Sequence, residues 1–416
     1  MHIRIIIEFS MSSIQIKNIG PLKDTGKVNL TSVMLFIGMQ SAGKSTLMKI
    51  LCFCSWIEKK IMLEGEDLVS KYTHYNRFLK DLKSFHRLDN LFFSDDSEIH
   101  YEGDCVKIDL KGEKKNVKIV RKQNYANDRY NSKICFIPSE RNMVSAIKNV
   151  SKAYKASDYD VLYNYLWEFE EAKTGMKAGT HVEMPFDRNV AYFYDSKRER
   201  DMVYLKNLDR SIETMYASSG VQSAMPIMLL FRYLTSVVGT KRALSQKDVQ
   251  NAIAKAVLDK DLLNGGIADV DLSKVSQLLY YANCQLYIEE LEQNLFPKSQ
   301  SDMVMDIVKG IKAVSLLTGK DSRVVMTTHS PYVLTTLNLL MKAAQALKKS
   351  ISDTVAVLNE DYILPMECFS AYWITCDGTL EDIVDKEYGF ISGDQLDMIS
   401  EILSDETEKL NDVIYG

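Results

Sequence analysis

Gly38-Met39-Gln40-Ser41-Ala42-Gly43-Lys44-Ser45-Thr46 is the stretch on which the reading of this chain turns. It fits the pattern G-x-x-x-x-G-K-[ST], and its surroundings match the mechanism behind that pattern. An apolar run, SVMLFIG at 32–38, precedes it, and from Lys44 to about Met62 apolar residues recur every three or four positions as they do on a helix. Strand, glycine-bearing loop and helix in that order form a cradle for phosphate. Gly38 and Gly43 permit backbone angles that turn successive N–H groups inward, and the helix adds its positive N-terminus. The expected binding residues are Gly38, Gln40, Ser41, Ala42, Gly43, Lys44, Ser45 and Thr46, with Lys44 on the β- and γ-phosphates and the Ser45 hydroxyl on Mg²⁺.

Three further stretches carry chemistry. QLYIEELEQNLFP at 285–297 ends an apolar strand on two adjacent carboxylates. Neighbours in a strand point to opposite sides, so Glu289 can face the metal while Glu290 orients or activates the attacking water. A glutamate pair after apolar residues is by itself more often a solvated strand end; here it lies downstream of the loop and upstream of a histidine. RVVMTTHSPYVL at 323–334 sets His329 just beyond a buried strand, where an imidazole can donate to a γ-phosphate. Lys44, Glu290 and His329 are the expected catalytic groups, and Ser45 and Glu289 the expected metal side. Ala217-Ser218-Ser219-Gly220-Val221-Gln222 opens another apolar helix, and a serine and a glycine at such a tip form either an ordinary cap or an anion site.

Composition sets the frame. At 416 residues the chain is long enough for two or three domains of roughly 150 residues. Its 46% hydrophobic and 26% charged balance is that of a globular protein. A net charge of −5 argues against coating nucleic acid by bulk charge, although basic runs occur at 111–122 and 197–200. The opening MHIRIIIEFS is too short an apolar run for a signal peptide, and no stretch reaches the roughly 20 apolar residues that cross a bilayer, so a cytoplasmic protein is expected. Met11 begins a second plausible start, which would make residues 1–10 an upstream extension. Seven scattered cysteines, Cys52 and Cys54 the only close pair, fit free thiols in a reducing compartment.

The pattern along the chain predicts strands over 12–37, a charged helical piece from Leu68 to His86, an antiparallel sheet over Ser97 to Val120 and a buried strand at Ile134 to Ile137. It further predicts a more polar, mainly helical insertion over 141–206 with a hairpin near Val190 to Tyr204, and an apolar helix from Ser218 to about Val238. After the strand at 285–290 come a helix near 301–317, the strand at 323–328, alternating segments near 353–375 and an amphipathic helix over Asp394 to Leu410. Strands alternating with helices imply an α/β fold with a mostly parallel sheet. The expected division is 1–140, 141–206, 207–345 and 346–416, the last an α/β extension.

Taken in order, these motifs give a resemblance. The chain resembles the ATP-binding-cassette ATPases of the SMC, RecF and OLD-like branch, particularly stand-alone bacterial ATPases of antiphage and toxin modules. ASSGVQ is similar to the family's signature, with Val221 where many relatives have glycine; EELEQNL to its Walker B and D-loop run; and TTHSP to its switch-histidine segment. The resemblance implies ATP and Mg²⁺ as ligands and ATP hydrolysis as the activity. It implies a P-loop head with an antiparallel β lobe, and a homodimer or higher even oligomer in which Ser219, Gly220 and Gln222 of one copy cap the nucleotide of the other. A sensor or regulator with a separate nuclease or toxin as effector follows from it, with a DNA-binding repair ATPase as the alternative. The family's glutamine loop has no counterpart after ICFI, where Ser139, Glu140 and Arg141 stand instead. A built-in nuclease of the OLD type would need an Asp-x-Asp pair, and the residues after His329 contain none.

Overall fold

The computed structural model describes residues 12–113, 117–122, 131–147, 160–175, 180–240, 280–393, 404–410 and 413–414. The first ten residues and most of the helix expected over 394–410 lie outside them.

The central sheet is built around β4 (Val33–Gly38), the strand that leads into the glycine loop. Every residue of β4 is buried, because it is covered on both faces, which is why it reads as an unbroken apolar run. Its alternation separates two cores. Met34 and Phe36 face one cluster, with α1 (Lys44–Glu64) and an antiparallel lobe. Val33, Leu35 and Ile37 face the other, with α5 (Ser219–Val237), α6 (Pro297–Thr318) and α7 (Pro331–Leu347).

Beside β4 lie β14 (Arg323–Thr328), then β13 (Tyr281–Ile288), then β8 (Asn131–Ile137), all parallel to it. Their carboxyl ends therefore fall along one edge, where open α/β sheets bind ligands. On the other side of β4 runs β15 (Phe369–Ile374), also parallel, followed by antiparallel β16 (Leu380–Asp382). The C-terminal stretch thus contributes a buried strand to the central sheet. The mostly parallel sheet flanked by helices, with an antiparallel lobe beside it, is the α/β fold expected from the sequence.

The lobe orders its strands β2-β1-β5-β6-β7, with β3 also on β1: β1 (Ser13–Ile19), β2 (Leu22–Asp24), β3 (Val28–Asn29), β5 (Glu98–Glu102), β6 (Val106–Lys111) and β7 (Lys118–Arg121). It is tied to α1 through Glu58, whose buried carboxylate accepts from Tyr101 Oη at 2.6 Å and from the Cys105 N–H at 2.7 Å. The charged helical piece expected from Leu68 divides into α2 (Glu66–Thr73) and α3 (Arg77–His86), because Tyr75 and Asn76 adopt positive φ between them.

In 141–206 the helical character is carried by α4 (Val161–Gly175) and the expected hairpin by β10 (Asp187–Asp195) and β11 (Arg200–Leu205). The sheet extends to β9 (Val182–Met184) and β12 (Arg210–Glu213) on either side of that hairpin. Tyr165, Phe169, Met184 and Tyr192 belong to the same apolar cluster as α5 and α6, so this segment shares the main core. Near 353, where alternating segments were expected, the chain forms α8 (Ile351–Val357). The Ser350 hydroxyl caps it by accepting from the Asp353 N–H.

Candidate nucleotide site

The glycine loop is shaped by close approach. A Cβ on Gly38 would stand 2.7 Å from the Ile374 carbonyl oxygen, and one on Gly43 2.7 Å from Leu22 Cδ2. Gly43 also has φ +112°, a conformation that side-chain-bearing residues avoid, and Ser41 takes the left-handed φ of 64°. Gln40, Ser41 and Ser45 are exposed, whereas Ala42, Gly43, Lys44 and Thr46 are buried. The buried Lys44 ammonium donates to the carbonyls of Gly38 at 2.9 Å and Met39 at 2.8 Å, closing the loop on itself. Burial lowers the Lys44 pKa, and the charges of Glu290 and Glu292 oppose that shift.

Glu289 and Glu290 lie just past the end of β13 and part company there. Glu289 is buried; its Oε2 accepts from the Ser139 N–H at 3.1 Å, while Oε1 has no hydrogen-bond partner. Glu290 sits at φ 45°, a left-handed conformation that costs a residue other than glycine, and its N–H donates to Thr327 Oγ1 at 2.9 Å. That turn aims the two acids differently, in place of the simple strand alternation expected. Across the adjacent strand end, burial lowers the His329 pKa and the Lys44 charge lowers it further, against the opposing charges of Glu292 and Glu290. Lys44, Glu290 and His329 therefore lie close enough at one edge for their charges to act on one another.

A third acid belongs to this group. Glu292 accepts from Thr328 Oγ1 at 2.8 Å and from the His329 N–H at 2.6 Å. The only sequence signal was a further carboxylate two positions beyond the pair. Arg141, whose place near the acids was left open, is fully buried and donates to the carbonyls of Glu289 and Glu290, both at 2.6 Å. The motif order marks the segment Ser139–Arg141, but an arginine after a strand-ending proline reads as surface, so nothing in the pattern marked its burial.

The tip of α5 is presented rather than buried. Ser218 caps the helix by accepting from the Val221 N–H at 3.4 Å, and Ser218 and Ser219 are exposed. Gly220 lies against the loop after the acids, where a Cβ would stand 2.8 Å from the Asn294 carbonyl. Gln222 donates its amide to the carbonyls of Thr214, Met215 and Ala217, in the turn that precedes the tip.

A divalent cation suits the place where Ser45 and Glu289 were expected to hold one. Ser45 is exposed at the helix start, and Glu289 offers a buried carboxylate oxygen without a partner. Among the described residues no group of three or more His, Cys, Asp or Glu could by itself hold a metal ion. Among those residues, too, no helix is long and apolar enough to cross a membrane. All seven cysteines are free; five are buried, Cys368 is half-buried and Cys376 exposed.

No protein-family model matches the chain, and no curated protein does. Among solved structures it is similar to an SMC head bound to the C-winged helix domain of ScpA, at 9% identity and a TM-score of 0.39 over 90% of this chain and 98% of that one. It is similar to the SMC head domain from Thermotoga maritima, at 10% identity and a TM-score of 0.33 over 78% of this chain and 90% of that one. A third likeness is to the recombination mediator protein RecF with ATPrS, at 10% identity and a TM-score of 0.30 over 89% of this chain and 97% of that one.

Proposed function

We propose that this chain is an ATPase of the ATP-binding-cassette type that closes two copies of itself around two ATP molecules and opens them by hydrolysis. One observation carries the reading: β4, β14 and β13, side by side and parallel, deliver the glycine loop, His329 and Glu289–Glu290 to a single edge. In this reading the loop N–H groups and Lys44 hold the phosphates, and Ser45 and Glu289 hold Mg²⁺. Glu290 orients the water and takes its proton, and His329 donates to the γ-phosphate. Mg²⁺ supplies charge neutralisation at the phosphates when bound.

The two-copy reading is supported by the tip itself: Gly220 packs on Asn294 of its own chain while Ser219 beside it is exposed and free to meet a second copy. Tyr216 is 71% exposed and Phe296 74%, one just before that tip and the other just after Asn294. Large apolar residues left uncovered beside such a tip suit a partner surface. The pair would act as a nucleotide-controlled regulator. A separate nuclease or toxin as its effector, in antiphage defence, follows from the sequence resemblance alone. A grip on duplex DNA is less well supported, because the described basic residues are partly neutralised: Lys122 pairs with Glu102 at 3.3 Å, Arg198 with Asp195 at 3.7 Å and Arg200 with Glu213 at 3.8 Å.

Light scattering of a Glu290→Gln variant tests the proposal. The variant should bind ATP without cleaving it and gather as a stable dimer, while the ATP-free protein does not. Monomers at saturating ATP and Mg²⁺ would sink it.

A further inference from the structure

Arg141 is the largest fully buried side chain in the described molecule, and its guanidinium spends itself on backbone carbonyls from three places in the chain. Nε donates to Ser223 at 3.0 Å, Nη1 to Glu289 at 2.6 Å and Pro138 at 3.3 Å, and Nη2 to Glu290 at 2.6 Å. Ser223 is the fifth residue of α5, one turn behind the exposed tip. A single planar cation therefore joins the helix that carries Ser219 to the two carbonyls on either side of the turn at Glu290. The planar fork of arginine suits such a task, and lysine, with one point of attachment, does not.

A second tie runs parallel to the first. Asn294 Nδ2 donates to Ser223 Oγ at 2.9 Å, and the Asn294 carbonyl lies so close to Gly220 that any Cβ there would clash. Tyr165 Oη, from α4, donates to the Arg141 carbonyl at 2.8 Å and fixes the arginine from behind. Glu290 meanwhile holds a left-handed φ of 45°, a conformation that persists only where its surroundings impose it. Its placement is thus sensitive to what Arg141 does.

We propose that Arg141 is a positioning residue that couples the two nucleotide sites of the pair. The inference rests on the two-copy reading above. There, the Ser219 tip of each protomer meets the partner's nucleotide, while Glu290 of the same protomer serves its own. Because Arg141 and Asn294 bind α5 to the Glu290 turn, the tip cannot shift on engaging the partner's triphosphate without shifting Glu290. Each nucleotide bound on the partner then sets the acid in the opposite site, and the two sites turn over together. Coupling of this kind requires an element that both sites bias, and α5 with its tied loop is that element.

The test compares wild type, Arg141→Lys and Asn294→Gly in Mg²⁺-ATP turnover and in binding of a fluorescent ATP analogue to monomer. Glycine at 294 keeps the left-handed backbone (φ 61°) while removing the amide, and the position is exposed, so this variant remains informative even if Arg141→Lys fails to fold. Wild type should show a Hill coefficient well above one. Both variants should keep the monomer's nucleotide affinity, lose about tenfold or more in kcat, and fall to a Hill coefficient of about one. Wild-type kcat and cooperativity in a folded Arg141→Lys protein and in Asn294→Gly would overturn the inference and leave the two-copy reading intact. A wild type that turns over without cooperativity would overturn it as well, and absence of ATP-driven pairing in wild type would remove both.

Discussion

Glu292 accepts the backbone N–H of His329 at 2.6 Å and the Thr328 hydroxyl at 2.8 Å, so the loop after one sheet strand fixes the residue that ends its neighbour. The acid thereby sets where the imidazole stands and contributes to the charge around Lys44. Charge-assisted bonds of this kind are worth roughly 1.5–3 kcal/mol each. Glu292→Ala should lower kcat about tenfold or more with little change in KM, because the histidine acts on charge that develops as the γ-phosphate leaves. Glu292→Gln, which keeps one acceptor oxygen, should be milder. Steady-state ATPase kinetics decide, and a wild-type kcat in Glu292→Ala would refute the role.

Lys44 has no acidic hydrogen-bond partner and instead closes onto the carbonyls of Gly38 and Met39, a conformation it must leave to meet phosphate. Lys44→Ala removes the one cation in the loop while the N–H groups of the cradle stay. Nucleotide affinity should fall at least about thirtyfold, equivalent to about 2 kcal/mol, and turnover should disappear. Titration with a fluorescent ATP analogue measures the first and phosphate release the second; unchanged turnover would contradict the assignment.

The exposed Ser219 supplies a test of the shared site by mixing. In the proposed pair the tip serves the other copy, so Ser219→Arg should spare binding of ATP to the monomer yet abolish turnover at the site that tip caps. Lys44→Ala has the opposite defect. Mixed in equal amounts, the two inactive proteins place one intact loop opposite one intact tip in each heterodimer. Turnover should reappear, bounded above by roughly a quarter of the wild-type rate from random pairing and one working site per mixed pair. Lost coupling should lower it about a further tenfold, because the Lys44→Ala copy offers no nucleotide to the other tip. No recovery across a range of mixing ratios, in an assay sensitive to about a hundredth of the wild-type rate, would exclude a site divided between copies.

Much of this site could be read from the sequence because its parts obey local rules. A strand covered on both faces is apolar throughout, as β4 is, and a loop packed this closely on Ile374 and Leu22 needs glycine at 38 and 43. The acids and His329 stand beyond similarly apolar strands, so their positions follow from where those strands end. What escaped was set by distant contacts. Nothing in FSAYWI says that its neighbour in the sheet is β4, near the other end of the chain. Arg141 is a residue type usually found at the surface, and only the carbonyls gathered around it account for its burial. In α8, Ile351, Val355 and Val357 are all exposed, so no apolar stripe marked a helix and the β-branched residues suggested strand; the Ser350 cap decides the matter.

Glu58 makes the joint between α1 and the antiparallel lobe sensitive to pH. Its carboxyl is buried, with the negative Asp104 nearby, and those two effects push its pKa up to about 7 against the opposing hydrogen bonds from Tyr101 and Cys105. The folded protein therefore holds a proton that the unfolded chain, with an ordinary glutamate near 4.5, releases. The stabilisation is complete below the unfolded pKa and is lost as pH rises through the folded one, so between about pH 4.5 and 7 the fold loses roughly 3 kcal/mol from this group. Glu58→Gln cannot titrate, and its amide oxygen can still accept the Cys105 N–H. Urea unfolding at pH 5 and pH 8 should show the variant less dependent on pH than wild type, with the difference in its favour at pH 8. An equal pH dependence in the two proteins would mean that the carboxyl is already ionised without cost in the folded joint.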